Sequence, residues 1–259
     1  MFPVLHLGPL ALQTPGLIIV LGIWIGLSVS EKYCKKTGLS SNDLSNITTI
    51  GLVAGILGAR LIYILEHVQA FLDAPGSIYS LNEELMNPPG GLLIGALSIL
   101  IYTNRNKISF LTSLDSLTPL LAILNIFIPL SNLASGNSYG SPANLPWSIY
   151  LWGENRHPSQ LYETAAGIII LLVLLSLIRT RTDNDNHGVI FARFVSMSAL
   201  ARLFLEHFRG DSTLVFNHFR EAQILAWFVL AFGLALEYYL VNKQETSVPS
   251  RRENKTQPS

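Results

Sequence analysis

Charge is what this chain has least of. Only 13% of its 259 residues are Asp, Glu, Lys or Arg, while 49% are hydrophobic. A soluble domain carries roughly a quarter charged residues. Seventeen cations balance 17 anions, and no basic tract interrupts the chain, so nothing points to a nucleic-acid partner. There is one cysteine, Cys34, which excludes an internal disulfide and any cysteine metal cluster. Its place beside Lys35 and Lys36 in a short loop reads as incidental. No Lys or Arg precedes the first apolar run, so Met1 to Pro15 lack the basic start of a cleaved signal peptide, and the first helix is expected to be retained. There is no internal repeat, which argues against an inverted-repeat transporter.

What is present is apolar sequence in long runs, with a mean hydropathy of +0.40. The composition is that of an integral membrane protein. Runs fall at about 15–30, 47–65, 91–103, 117–130, 160–178, 188–207 and 221–241, against the roughly 20 residues that cross the hydrocarbon. The expected fold is therefore all-α, a polytopic membrane protein of about seven transmembrane helices. The third and fourth runs are short, and Asp115 and Pro119 interrupt the approach to the fourth, so these two read as thin, tilted or re-entrant. Lys32, Lys35, Lys36, Arg105, Lys107, Arg179, Arg181 and Lys243 fall on one side of that arrangement. The opposite connections hold Arg156, Arg209 and Arg220 beside Glu66, Asp73, Glu83, Glu84 and Glu154. By the positive-inside rule the N-terminus is outside and the C-terminus cytoplasmic. One helical domain, residues 1–242, is expected, followed by a disordered cytoplasmic tail, 243–259, rich in Lys, Gln, Ser and Pro.

Polar residues inside the apolar runs are the functional candidates, because lipid cannot solvate them. Arg156-His157-Pro158-Ser159-Gln160-Leu161-Tyr162-Glu163 opens the fifth run, and Gln160, Glu163, Thr164 and Gly167 share one stripe of it. On the sixth run Ser198, Arg202, Glu206 and Arg209 recur at intervals of three and four and share a face. Arg60, Tyr63 and His67 do the same near the outer end of the second. Taken one at a time, these have structural explanations: an ion pair for Arg202 and Glu206, snorkelling for Arg209, and a helix start for Pro158 with Gln160 reaching back to free N–H groups. Three helices agreeing in depth, at the outer leaflet boundary, favour a site. Several arginines with a carboxylate suit a phospholipid headgroup, since a guanidinium binds phosphate through two hydrogen bonds and keeps its charge in a dry setting. Gly51-x-x-x-Gly55 and Gly91-x-x-x-Gly95 are assigned to close helix packing.

The block Arg156 to Glu163 resembles the R-H-P-x-Q-L-Y-E motif of bacterial prolipoprotein diacylglyceryl transferases. Gly58-Ala59-Arg60, Gly90-Gly91, Asn132 to Gly140, Arg202-x-x-x-Glu206-x-x-Arg209 and Gln223-Ile224-Leu225 extend the resemblance over all but the termini. It implies a transferase that moves the diacylglyceryl group of phosphatidylglycerol to the cysteine thiol of a prolipoprotein signal peptide, at the outer face of the bacterial inner membrane. On the same resemblance His157, Glu163 and Glu206 are the expected catalytic residues. Arg60, Asn132, Gly136, Gly140, Gln160, Arg202 and Arg209 are the expected substrate-binding ones. Neither a metal nor a soluble cofactor is implied.

Four positions depart from the family pattern. Its arginine and glutamate in the fourth-run motif are Pro129 and Asn137, its histidine before the paired glycines is Pro89, and its tyrosine in the first helix is Pro15. Two alternatives therefore stay open beside the transferase. One is a non-catalytic paralogue that binds a phospholipid or lipidated peptide; the other is a transferase with a different acceptor.

Overall fold

The computed structural model describes residues 4–7, 10–79, 85–182, 186–215 and 219–245, so most of the expected tail, 246–259, lies outside the described residues. Eight α-helices occur among them: α1 (Thr14–Thr37), α2 (Ser41–Glu66), α3 (Val68–Asp73), α4 (Pro88–Arg105), α5 (Phe110–Ser135), α6 (Ser159–Thr180), α7 (Val189–Leu205) and α8 (Glu221–Glu245). Each of the seven apolar runs lies on a helix. Five helices, α1, α2, α5, α6 and α8, are long and apolar enough to cross a membrane. The fourth run, read as short, belongs to the 26-residue α5. The short helices are instead α4, with 18 residues, and α7, with 17. Three antiparallel two-stranded hairpins add to the helices: β1 with β2 (Val4–Leu7, Leu10–Gln13), β3 with β4 (Ile149–Leu151, Glu154–Arg156), and β5 with β6 (Leu214–Val215, Phe219–Arg220).

The chain forms two compact units, one of residues 38–114 and one of residues 1–37 with 115–259. The smaller is built on α2 and α4. Ser40 Oγ accepts the Asp43 N–H to start α2. Asn87 accepts the Gly90 N–H to start α4, with Pro88 in the first turn, where its missing N–H costs nothing. The two helices touch through glycine. A Cβ on Gly91 would lie 2.7 Å from the Gly55 carbonyl oxygen, and one on Gly95 would lie 2.9 Å from that of Gly51. Only hydrogen at these positions allows the backbones so close.

In the larger unit Tyr33, Ala122, Ile170, Leu174, Ile178 and Ile190 form a buried cluster drawn from α1, α5, α6 and α7. Prolines inside α5 disturb its ladder, and near each of them a hydrogen bond ties α5 to α1. The Leu120 N–H that follows Pro119 donates to Ser30 Oγ at 3.0 Å, and Ser131 Oγ, two residues past Pro129, donates to the Pro15 carbonyl at 3.0 Å. Asp115 is fully buried and organises the opposite end. It pairs with Arg181 at 2.8 Å and accepts the Gly188 and Phe191 N–H groups at 2.7 and 3.0 Å, so a side chain of α5 caps α7. Large apolar side chains face outward along the long helices, among them Val20 and Trp24 of α1, Ile169 and Leu172 of α6, and Phe228 and Phe232 of α8. That is the distribution a lipid-facing surface requires.

Candidate functional site

At one end of the larger unit, the start of α6, the end of α7 and the segments between helices meet. The segments come first. Residues 139–143 lie between two others: His157 N–H donates to Ser141 O at 3.0 Å, Ala143 N–H to Asn155 O at 2.9 Å, Ser141 N–H to Phe208 O at 2.8 Å, and Gly210 N–H to Tyr139 O at 2.9 Å. Gly140 pairs with Arg209, and Pro142 with Arg156. Two glycines permit this platform. A Cβ on Gly140 would collide with the His157 oxygen, and one on Gly210 would fall 2.6 Å from the Gly140 oxygen. Arg156 locks the layer, donating to the Leu151 and Gly140 carbonyls at 3.1 and 3.3 Å, pairing with Glu154 at 2.9 Å and lying over the Tyr139 ring.

The helix mouth is fastened to the end of α5. Gln160 is fully buried and its Nε2 donates to the Asn137 carbonyl at 2.8 Å, while Ser159 Oγ donates to the Ser138 carbonyl at 2.8 Å. Gln160 thus holds a neighbouring segment instead of reaching back to its own helix. Asn132 Nδ2 donates to Ser138 Oγ at 3.0 Å, and its carbonyl accepts the Gly136 N–H at 2.8 Å. Gly136 takes the left-handed conformation, with φ 86°, that ends α5. His157 packs against Tyr162 and Phe208, and its Nδ1 stands 3.4 Å from the Tyr162 hydroxyl, which also accepts the Trp147 Nε1–H at 2.8 Å.

Below this mouth the α6 and α7 stripes join in an alternating array of charge. Glu163 Oε1 lies 3.1 Å from Arg202 and 3.5 Å from Arg209. Glu206 Oε2 lies 2.9 Å from Arg202 and 4.0 Å from Arg209. The other Glu206 oxygen accepts from Ser212 Oγ at 2.5 Å, and Arg209 is held by both oxygens of Asp211 at 2.9 Å. Arg220 crosses from β6, donating to the Glu206 carbonyl, to the Arg209 carbonyl at 2.8 Å and to Ser212 Oγ at 3.0 Å. Glu206 is 1% exposed and Arg209 13%, but the Arg202 side chain is 35% exposed. One guanidinium of the array is therefore presented while the rest is built in.

Arg60 belongs to the smaller unit. There it donates to the Leu85 and Ser77 carbonyls at 2.7 and 2.5 Å and sits over the Phe71 ring, closing the connection between α2 and α4. Sequence reasoning did not single out Asp211 or Ser212, and it treated Arg220 only as a loop cation. The one local signal for Asp211 is its place two residues after Arg209, across Gly210. Among the described residues no group of three His, Cys, Asp or Glu side chains is arranged to hold a metal ion.

The family described as prolipoprotein diacylglyceryl transferase matches residues 3–239 of this chain. Curated relatives carry the name phosphatidylglycerol–prolipoprotein diacylglyceryl transferase. That of Clostridioides difficile is 26% identical over 233 residues, covering 90% of this chain and 92% of the relative. That of Finegoldia magna is 27% identical over 222 residues, covering 86% and 88%. That of a Nostoc species is 26% identical over 268 residues, covering 97% and 94%.

Proposed function

This chain belongs to the prolipoprotein diacylglyceryl transferase family, and from that membership we propose that it transfers the diacylglyceryl group of phosphatidylglycerol to the cysteine thiol of a prolipoprotein. The observation that carries the reading is the array of Glu163, Arg202, Glu206 and Arg209, a carboxylate-locked pair of arginines of which one faces outward. The reaction makes one carbon–sulfur bond and breaks one carbon–oxygen bond. The thiol loses its proton to a base, and its sulfur attacks the glyceryl carbon that carries the phosphate ester. The carbon–oxygen electron pair leaves with glycerol phosphate. Arg202 binds the phosphate as its charge grows, and Arg209 adds to the positive field; fixed cations in a water-poor site do this without reorganising.

Glu163 and Glu206 each pair with both arginines, and in this reading they act as positioning groups. His157 is the proton acceptor in this reading, because its ring is tied down only by packing and by the long contact to Tyr162. Asn132, Gly136, Gly140 and Gln160 hold the wall behind the array. All seven apolar helices cross the plasma membrane, with α4 and α7 as the short spans and the array at the outer face. The loop cations, gathered on the opposite side, support that orientation.

A second reading rests on Pro15, Pro89, Pro129 and Asn137, where the family pattern has ionisable or hydroxyl groups. The Pro15 and Asn137 carbonyls serve as structural acceptors for Ser131 and Gln160. On this reading the array binds lipid and does not turn it over. Expression in cells depleted of their own diacylglyceryl transferase separates the two. The transferase converts a prolipoprotein reporter to its lipid-modified form, and Arg202→Ala does not. A native chain that reaches the membrane and leaves the reporter unmodified is the binding paralogue.

A further inference from the structure

The charged face of α7 has an opposite. Ser198, Arg202, Glu206 and Arg209 share one side, so Arg193, Met197, Leu200 and Phe204 lie on the other. That second side, with α6 and α8, borders a cavity of about 450 Å³ lined by Val173, Leu177, Met197, Leu200, Leu230 and Leu234. Leu200 and Leu230 also border an adjoining cavity of about 300 Å³ that reaches Phe204, Gln223 and Trp227. The two form one apolar groove along the α7–α8 seam, on a surface where Leu200, Phe204, Trp227 and Leu234 are exposed. Only one end of it carries charge. Arg193 Nε donates to Glu237 Oε1 at 2.7 Å, and both side chains line the groove, 37% and 25% exposed.

This end is distant from the transferase array. Arg193 lies nine residues before Arg202, about 14 Å along the helix axis, and beside Leu177, near the end of α6 that carries Arg179 and Arg181. A lone ion pair facing hydrocarbon is a poor stabiliser, whereas one at the mouth of an acyl-chain groove has complementary charge to offer. With Nε on Glu237, the terminal Arg193 nitrogens make no hydrogen bond to any described residue, and neither does the second Glu237 oxygen. A cation and an anion so placed match the phosphate and ammonium of a zwitterionic headgroup, and Glu237 opposes a purely anionic one.

We propose that the α7–α8 groove is a second lipid site, specific for a phospholipid with a phosphate–ammonium headgroup, distinct from the site at Arg202. One acyl chain lies along Leu200, Leu230 and Leu234, the phosphate meets Arg193, and the ammonium meets Glu237. The test is native mass spectrometry of the full chain in detergent, with phosphatidylethanolamine and phosphatidylglycerol supplied at equal concentration. Phosphatidylethanolamine is expected to be retained about tenfold better at this site, the scale of one charge-assisted contact. Glu237→Gln removes that preference, and Arg193→Gln, which takes away the contact to the phosphate both lipids carry, weakens retention of both. Leu200→Trp, at an exposed position, fills the groove and removes retention itself. Arg202→Ala leaves phosphatidylethanolamine retention unchanged. Equal retention of the two lipids by Arg202→Ala, in which the array no longer holds phosphatidylglycerol, or undiminished phosphatidylethanolamine retention in Leu200→Trp, overturns the proposal and leaves annular lipid contact. The outcome is independent of whether the Arg202 array is catalytic.

Discussion

Arg202 and Arg209 are the same residue in the same array with different jobs. Arg209 is held by both Asp211 oxygens, its own carbonyl accepts from Arg220, and it is 13% exposed. Among the described residues Arg202 pairs with Glu163 and Glu206 only, and it remains 35% exposed. Arg202→Ala is therefore expected to lower kcat/KM for diacylglyceryl transfer by about 100- to 1000-fold, the range for losing one donor to a developing anion. Arg202→Lys recovers little of this, because an ammonium cannot bridge two carboxylates and a phosphate with a planar fork. Steady-state assay with purified membranes and a prolipoprotein peptide checks both. Arg220→Ala acts differently. It frees the Glu206 and Arg209 carbonyls and Ser212 while leaving the array's charges present, so KM is expected to rise more than kcat falls. Arg202, Glu206 and Arg209 were legible in the sequence because a helix converts spacing directly into a shared face. Asp211, Ser212 and Arg220 were not. They reach the array through a turn and a hairpin, where the path depends on Gly210 lying flat against Gly140, and spacing predicts nothing there.

At the scale of elements, the fourth apolar run shows how a polar residue misleads when its partner is far along the chain. Asp115 and Pro119 read as an interruption, yet α5 continues through both. The carboxylate is consumed by Arg181 and by the N–H groups that open α7, and the N–H beyond the proline goes to Ser30. No local pattern marks a cap supplied from 73 residues away across the Gly188 contact. The glycine pairs are the converse case. Their i, i+4 spacing was legible, and it places Gly91 on Gly55 and Gly95 on Gly51. Asp115→Ala leaves Arg181 buried without its anion and uncaps α7, so unfolding stability is expected to fall by about 3–5 kcal/mol. Thermal unfolding in detergent checks this, with Asp115→Asn less harmful because the amide oxygen still accepts one N–H. Gly140→Ala is expected to force the platform apart at His157 beside Arg209, lowering both transfer activity and the unfolding midpoint.

At the scale of the whole molecule, helix positions were read correctly from hydropathy, but whether every helix crosses is a separate matter of length. Five helices reach across on length and apolarity; α4 and α7 are shorter than the roughly 20 residues that span the hydrocarbon. If α4 crosses, Gly76 and Asn106 lie on opposite sides. If α7 crosses, Leu214 shares a side with Trp152. The chain's single cysteine, Cys34, is buried, so Cys34→Ala gives a background in which one new thiol at a time reports its side. Gly76, Asn106, Trp152 and Leu214 are all exposed and suit the purpose. With an impermeant maleimide on intact cells, Gly76→Cys, Trp152→Cys and Leu214→Cys are expected to react at once, and Asn106→Cys only after permeabilisation. Labelling of Asn106→Cys together with Gly76→Cys means that α4 turns back, and failure of Leu214→Cys alone means that α7 does. Neither result leaves the orientation intact: if α4 does not cross, α5 to α8 run the other way, and if α7 does not cross, α8 alone runs the other way. Labelling of Asn106→Cys alone reverses the whole chain and moves the Arg202 array to the cytoplasmic face, where a transferase acting on an exported signal peptide has no acceptor.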